Sequence, residues 1–207
     1  GYPFEVEPST IRSRTSILSE KSNPGYIWNF LNYALARKFL GDFSDNIFNG
    51  HILEIGPGYG CAASLYIKQF SPKSYTLVDL CENLANSISY LTNVLPEAKF
   101  NLVRNLDDFT DSLSPSGGLV INIISAQFFD TLSLGRVFNL VVNSDSLGEM
   151  PAATAKAYLK KISKSLSPNG LFLSINGHRR GSLNLEGLER FSDYEYNAIF
   201  SLVGFGY

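Results

Sequence analysis

One methionine, one tryptophan, two histidines and two cysteines are all that 207 residues hold of these types. Cys61 and Cys81 form neither a C-x-x-C pair nor a disulfide framework, so a reducing compartment, the cytoplasm, is expected. Charge of either sign is scarce, at 17 % of residues, and 17 basic against 19 acidic side chains leave a net −2. Basic residues are scattered along the chain, which argues against a nucleic-acid partner, since that would want a basic face. Long hydrophobic runs are missing too. The best, Leu119–Ile124 and Val137–Val142, fall well short of the ~18 to 20 apolar residues of a membrane span and read as buried strands. There is no repeat, no low-complexity tract and no basic-plus-apolar leader. The first residue is Gly, so a trimmed chain or a piece of a longer one is expected. What is present is 44 % apolar with mean hydropathy near zero. A chain of this length can bury about 70 % of its unfolded surface, enough for one domain with a full core.

The chain divides by pattern. Residues 1–24 are polar and irregular, and 26–40 read as a helix with Ile27, Phe30, Leu31, Ala34 and Leu35 on one stripe. Residues 1–50 are therefore expected to form an N-terminal helical cap, with 51–207 as one α/β unit. From His51 short apolar runs alternate with helical segments: strand His51–Ile55, helix Cys61–Phe70, strand Tyr75–Asp79, then a helix closed by Pro96. Strands Gly118–Ile124 and Val137–Asn143 follow, then helix Pro151–Ser167, a turn at Pro168-Asn169-Gly170 and strand Leu171–Ile175. This alternation predicts a doubly wound, mostly parallel sheet with helices on both faces. Ala98–Ser116 interrupts it and reads as an inserted strand plus short helix.

The segment with chemical content is His51-Ile-Leu-Glu-Ile-Gly-Pro-Gly-Tyr-Gly60. A strand runs into Gly56-x-Gly58-x-Gly60 and then a helix, a turn that lets a ligand approach the backbone. Glu54 stands two places before the first glycine. Cys61 occupies the place of the third glycine in the dinucleotide pattern G-x-G-x-x-G. Asp79 ends the next strand, where a carboxylate can accept both hydroxyls of a ribose. An ordinary strand–turn–helix corner with a surface Asp is the plainer reading.

These residues resemble the class I S-adenosylmethionine-dependent methyltransferases, over about His51 to Asn176. Leu53-Glu-Ile-Gly-Pro-Gly-Tyr-Gly60 is similar to the family's first motif and Thr76-Leu-Val-Asp79 to its second-strand acid. Val137-Phe-Asn-Leu-Val-Val-Asn143 is similar to its fourth strand, with Asn139 where Asp is more usual. Within the family, Asn143-Ser-Asp-Ser-Leu-Gly-Glu-Met150 with Tyr158 and Asn176 resembles a group of sugar O-methyltransferases. The resemblance implies a Rossmann-like fold, S-adenosylmethionine as cofactor and a small-molecule acceptor, such as a sugar hydroxyl. It implies cofactor contacts from Glu54, Gly56, Gly58, Tyr59, Gly60, Asp79, Leu80, Ser125, Gln127, Asn143 and Ser144. Gln127 stands where many members carry an adenine-binding Asp, and an amide carbonyl can accept the same hydrogen bond.

A hydroxyl acceptor benefits from a base within reach. Ligands of such sheets lie outside the carboxyl ends of the strands, which brings forward Asp145 and Glu149 after the fourth strand of the family pattern and His178 after the fifth. Glu149 and His178 are the candidate catalytic residues; helix-end charge and a surface loop are their plainer readings. Arg179 and Arg180 read as a solvated pair or an anion fork, His51 as structural, the cysteines as small fillers and the aromatics Tyr26–Phe30 as packing or a lid. No clear carboxylate set suggests a metal. Two rival functions remain open here: a dinucleotide-dependent oxidoreductase and a non-catalytic cofactor-binding module.

Overall fold

The computed structural model describes residues 30, 32–34, 36–38, 40–114 and 117–175. Six strands form one all-parallel sheet: β1 His51–Ile55, β2 Ser74–Asp79, β3 Lys99–Leu102, β4 Val120–Ser125, β5 Phe138–Ser144 and β6 Leu166–Ile175. Their spatial order is β3-β4-β2-β1-β5-β6. The helices between them are α1 Cys61–Phe70, α2 Cys81–Val94, α3 Leu106–Ser112, α4 Ala126–Thr131 and α5 Ala152–Ser165.

Both faces of the sheet are covered, which is why its strands read as continuous apolar runs. Alternation along β1 sends Ile52 to one core with Leu77, Leu140 and Val142, roofed by α1 and α2. Leu53 and Ile55 turn to the other core with Val141, roofed by Phe109, Phe129, Leu159 and Ile162 of α3, α4 and α5. Described positions between 30 and 40 are helical and continue through two short helical turns, Gly41–Phe43 and Ser44–Ile47. Tyr33, Ala36, Leu40 and Ile47 belong to the first core, and Tyr33 meets Tyr66 of α1 edge to face at 5.3 Å. Residues 1–29 of the expected cap lie outside the described residues.

One expectation is met and one changes in detail. The inserted segment Ala98–Ser116 adds a parallel strand at the sheet edge: β3 pairs with β4, and α3 packs under it. Its register is marked by polar side chains abreast on three strands. Asn101 Nδ2 donates to Asn122 Oδ1 at 2.9 Å, and Asn122 Nδ2 to Thr76 Oγ1 at 3.4 Å. The turn expected at Pro168-Asn169-Gly170 lies inside β6, which already pairs with β5 at Leu166 and takes up the extra residues as a bulge. Only glycine fits position 170, because a methyl group there would stand 2.6 Å from the Phe138 carbonyl oxygen. Gln127 lies in the first turn of α4.

From β1 the chain moves to β2, on to β3 at the edge and back to β4 between them, then crosses to β5 on the other side of β1. That reversal opens the crevice in which doubly wound sheets hold their ligands.

Candidate functional site

The crevice between the carboxyl ends of β1 and β5 is where the glycine turn stands. Gly56, Gly58 and Gly60 all have positive φ, at 74°, 55° and 80°, a backbone that side-chain-bearing residues rarely adopt. A methyl group at Gly56 would collide with the Ser146 side chain, and one at Gly60 would press on Leu91 at 3.1 Å. At Gly58 it would meet nothing within 4 Å. That side of the turn is open, and α1 begins directly beyond it, with Gly60 as N-cap and no side-chain cap on its first turn. An uncapped helix N-terminus beside open backbone suits a carboxylate such as the methionine end of S-adenosylmethionine.

Asp79 is the hub beside it. Its Oδ2 accepts from Gly58 N–H at 3.2 Å, and its Oδ1 accepts from Leu80 N–H at 2.7 Å and Asn83 Nδ2 at 2.9 Å. The half-buried carboxylate thus ties the turn to the start of α2 and faces the carboxyl edge. Register puts Ser125 of β4 abreast of Asp79, with the Ser125 hydroxyl accepting from Phe128 N–H at 3.3 Å and exposed Gln127 just beyond. Tyr59 and Leu80 are both more than half exposed at the same edge. These side chains gather at the carboxyl edge beside the glycine turn.

Other candidates support the edge from below. Asn143 is fully buried, and its Nδ2 donates to the Ile55 carbonyl at 3.1 Å and to Ser146 Oγ. Ser146 Oγ donates to the same carbonyl at 2.9 Å, so the two close the crevice floor. Ser144 ends β5, half-buried. Glu54 is only 1 % exposed and accepts from the Tyr75 hydroxyl at 2.8 Å. Burial pushes its carboxyl up to about 7; Tyr75's hydrogen bond opposes the rise and the charge of Asp79 adds to it. Glu54 also holds the Tyr75 and Tyr66 phenols well above their ordinary range, after burial itself.

Glu149 is exposed in the turn Leu147–Glu149 that follows β5, at the sheet end that carries the glycines and Asp79. Asp145, just before it, has left-handed backbone with φ 65°. His178, Arg179 and Arg180 lie outside the described residues. His51 Nδ1 is 2.9 Å from Ser74 Oγ at the far end of the sheet, and Asn139 Oδ1 accepts the His51 N–H at 2.9 Å, a backbone support rather than a ligand contact. Among the described residues no group of three His, Cys, Asp or Glu could hold a metal, and no helix is long and apolar enough to cross a membrane. A cleft lined by Asn49, Ser71, Lys73, Leu113 and Leu119 opens at the opposite end of the sheet.

Sequence reasoning passed over Ser146, Asn83 and Ser87. Asn83 and Ser87 follow Asp79 at steps of four, a spacing that lines one helix face.

A family model described as a methyltransferase domain matches residues 27–194. None of the curated proteins compared matches the sequence. Among solved structures, a phosphoethanolamine N-methyltransferase 2 of Haemonchus contortus is 18 % identical, with TM-score 0.51 over 75 % of this chain and 30 % of its own. CalS10, an amino pentose methyltransferase from Micromonospora echinaspora, is 16 % identical, with TM-score 0.49 over 88 % and 61 %. The N-methyltransferase NodS from Bradyrhizobium japonicum is 15 % identical, with TM-score 0.49 over 73 % and 62 %. The chain spans from 30 % to 62 % of these three structures' lengths, and the likeness is one of fold. With the family match running from the N-terminal helix past β6, the chain belongs to the class I S-adenosylmethionine-dependent methyltransferases, and its cofactor is S-adenosylmethionine.

Proposed function

We propose that this chain is an O-methyltransferase acting on a sugar or another small-molecule hydroxyl. Bound S-adenosylmethionine supplies a methyl on a sulfonium, open to in-line displacement with a neutral thioether leaving, so holding and orienting do most of the work. In this reading the open side of Gly58 and the start of α1 hold the methionine end, and Asp79 holds the ribose. Leu80, Ser125 and Gln127 flank the adenine, and Tyr59 covers the turn. The acceptor hydroxyl lies toward the turn after β5, where Glu149, or His178 from the segment after β6, takes its proton. A reducing, cytoplasmic setting goes with it, since Cys61 and Cys81 are not joined in a disulfide.

One observation carries the reading: an open left-handed glycine joined through its N–H to an acidic residue, at the point where the strand order reverses. The first test is thermal shift with S-adenosylhomocysteine against NAD. Ligand at 100 times its Kd adds about 2.7 kcal/mol, a rise of roughly 5 to 11 °C for a domain of this size. A response to NAD instead would turn the reading toward an oxidoreductase. The second test presents methyl-labelled cofactor with panels of sugars, other hydroxyl compounds and amines. Label on amines alone would overturn O-methylation, and tight cofactor binding with no label anywhere would favour a non-catalytic module.

A further inference from the structure

Gly58 is held by both of its amide groups, and the holders belong to one helix and the residue that leads into it. Its N–H donates to Asp79 Oδ2 at 3.2 Å, and its carbonyl accepts from Ser87 Oγ at 2.6 Å. The holders are joined to each other. Asn83 Nδ2 donates to Asp79 Oδ1 at 2.9 Å, and Ser87 Oγ lies 3.2 Å from the Asn83 carbonyl oxygen. Gly58, Asp79, Asn83 and Ser87 therefore close a hydrogen-bonded ring across the turn and α2. The single hydroxyl proton of Ser87 is shared between the two carbonyls, with Gly58, at the shorter distance, the principal acceptor. Ser87 is fully buried, so water has no route to replace it. α2 also leans on the turn directly: a methyl at Gly60 would stand 3.5 Å from Ser87 Cα.

A left-handed glycine with nothing against its open side has many conformers available. A ligand that needs one of them binds more weakly in proportion to the fraction of time that conformer is absent. We propose that Ser87 and Asn83 are positioning residues for the cofactor, holding the Gly58 peptide and the Asp79 carboxylate as one preorganised unit. The inference rests on the reading that the glycine turn and Asp79 hold S-adenosylmethionine. Ser87 has no surface with which to touch a ligand, and acts through Gly58.

The test is calorimetry of the full chain with S-adenosylhomocysteine, beside hydrogen exchange at the Gly58 amide. Ser87→Ala removes one neutral hydrogen bond and is expected to weaken binding about three- to tenfold, with faster exchange at Gly58. Asn83→Ala opens the same ring, so the double variant is expected to lose little more than the worse single one. Ser112→Ala is the control. It deletes a matching buried contact, Ser112 Oγ to the Phe109 carbonyl at 2.6 Å, on α3, and should leave affinity unchanged. Normal affinity in Ser87→Ala, while Asp79→Ala binds weakly, overturns the ring and spares the cofactor site. Equal weakening by Ser112→Ala also overturns it, by reducing the effect to general destabilisation. Should Ser87→Ala fail to fold, half-buried Asn83→Ala decides alone, and wild-type affinity there refutes the proposal. Normal affinity in Asp79→Ala removes the cofactor reading and this inference together.

Discussion

Glu54→Gln is expected to stabilise the protein above neutral pH and to flatten its stability profile. Burial lifts the Glu54 carboxyl from 4.5 to about 7. The folded state therefore holds a proton that the unfolded chain releases between those values. Stability from this group is fully present below about 4.5, is lost as pH rises, and is gone above about 7. The gap between the two values corresponds to about 3 kcal/mol, or roughly 6 to 12 °C in Tm for a domain of this size. Gln keeps an acceptor for the Tyr75 hydroxyl and cannot ionise, so the variant escapes this loss. His51 acts in the opposite sense. Burial and Lys73 lower its pKa, so its contribution is present above about 6.5 and is lost as pH falls. Subtracting the variant's curve from the wild type's cancels that term. Urea unfolding at half-unit steps from pH 5 to 8.5 reads the difference directly. Parallel curves for the two proteins would refute the burial argument, since an exposed or ion-paired Glu54 would leave no such gap.

Asp79→Ala is expected to weaken S-adenosylhomocysteine by roughly ten- to a hundredfold, the worth of charge-assisted bonds to two hydroxyls. Because the carboxylate also takes three N–H donors, Tm should fall as well, by about 2 to 4 °C for ~1 kcal/mol of lost hydrogen bonding; a calorimetric and a thermal scan check the pair. Gly58→Val should still fold, at the cost of strain from a branched residue at φ 55°, since its Cβ meets nothing within 4 Å, yet lose cofactor binding in the same calorimetry. Gly56→Val should instead lose stability, because its side chain runs into Ser146, and a denaturant titration separates the two. Of Glu149→Gln and His178→Asn, one is expected to cost ~10² to 10⁴ in kcat with unchanged S-adenosylhomocysteine affinity, as removal of a general base does. An effect confined to KM would make that residue a substrate contact.

The glycine turn and Asp79 were legible because each obeys a local rule: positive φ demands glycine, and the last side chain of a parallel strand stands at the ligand-binding edge. The apolar runs likewise announced a sheet covered on both faces. Glu54 read as a cofactor contact from its distance to Gly56. Its burial depends on Tyr75, which reaches it from the neighbouring strand, and on no local pattern. Asn143 enters as a cofactor contact through the resemblance; its side chain donates to the Ile55 carbonyl on the adjacent strand. The bulge in β6 escaped because a strand can absorb a Pro-Asn-Gly turn when Gly170 lets it pass close to Phe138. Asn83 and Ser87 share a helix face with no apolar signal, and the glycine that Ser87 holds lies 29 residues away along the chain.

The amides abreast on β3, β4 and β2 bear on how the sheet edge behaves. Asn122 is wholly buried, and its oxygen is served by Asn101 from the outermost strand. If β3 slipped by one residue, an apolar side chain would replace Asn101, and a buried carbonyl would lose its donor at about 1 to 3 kcal/mol. Peeling β3 away also breaks the bond by which Asn101 braces the Asp108 carbonyl of α3 at 2.8 Å. An edge strand ordinarily frays first and tolerates alternative pairings. Here the margin of the sheet is tied to its middle, so β3 should melt with the core rather than ahead of it.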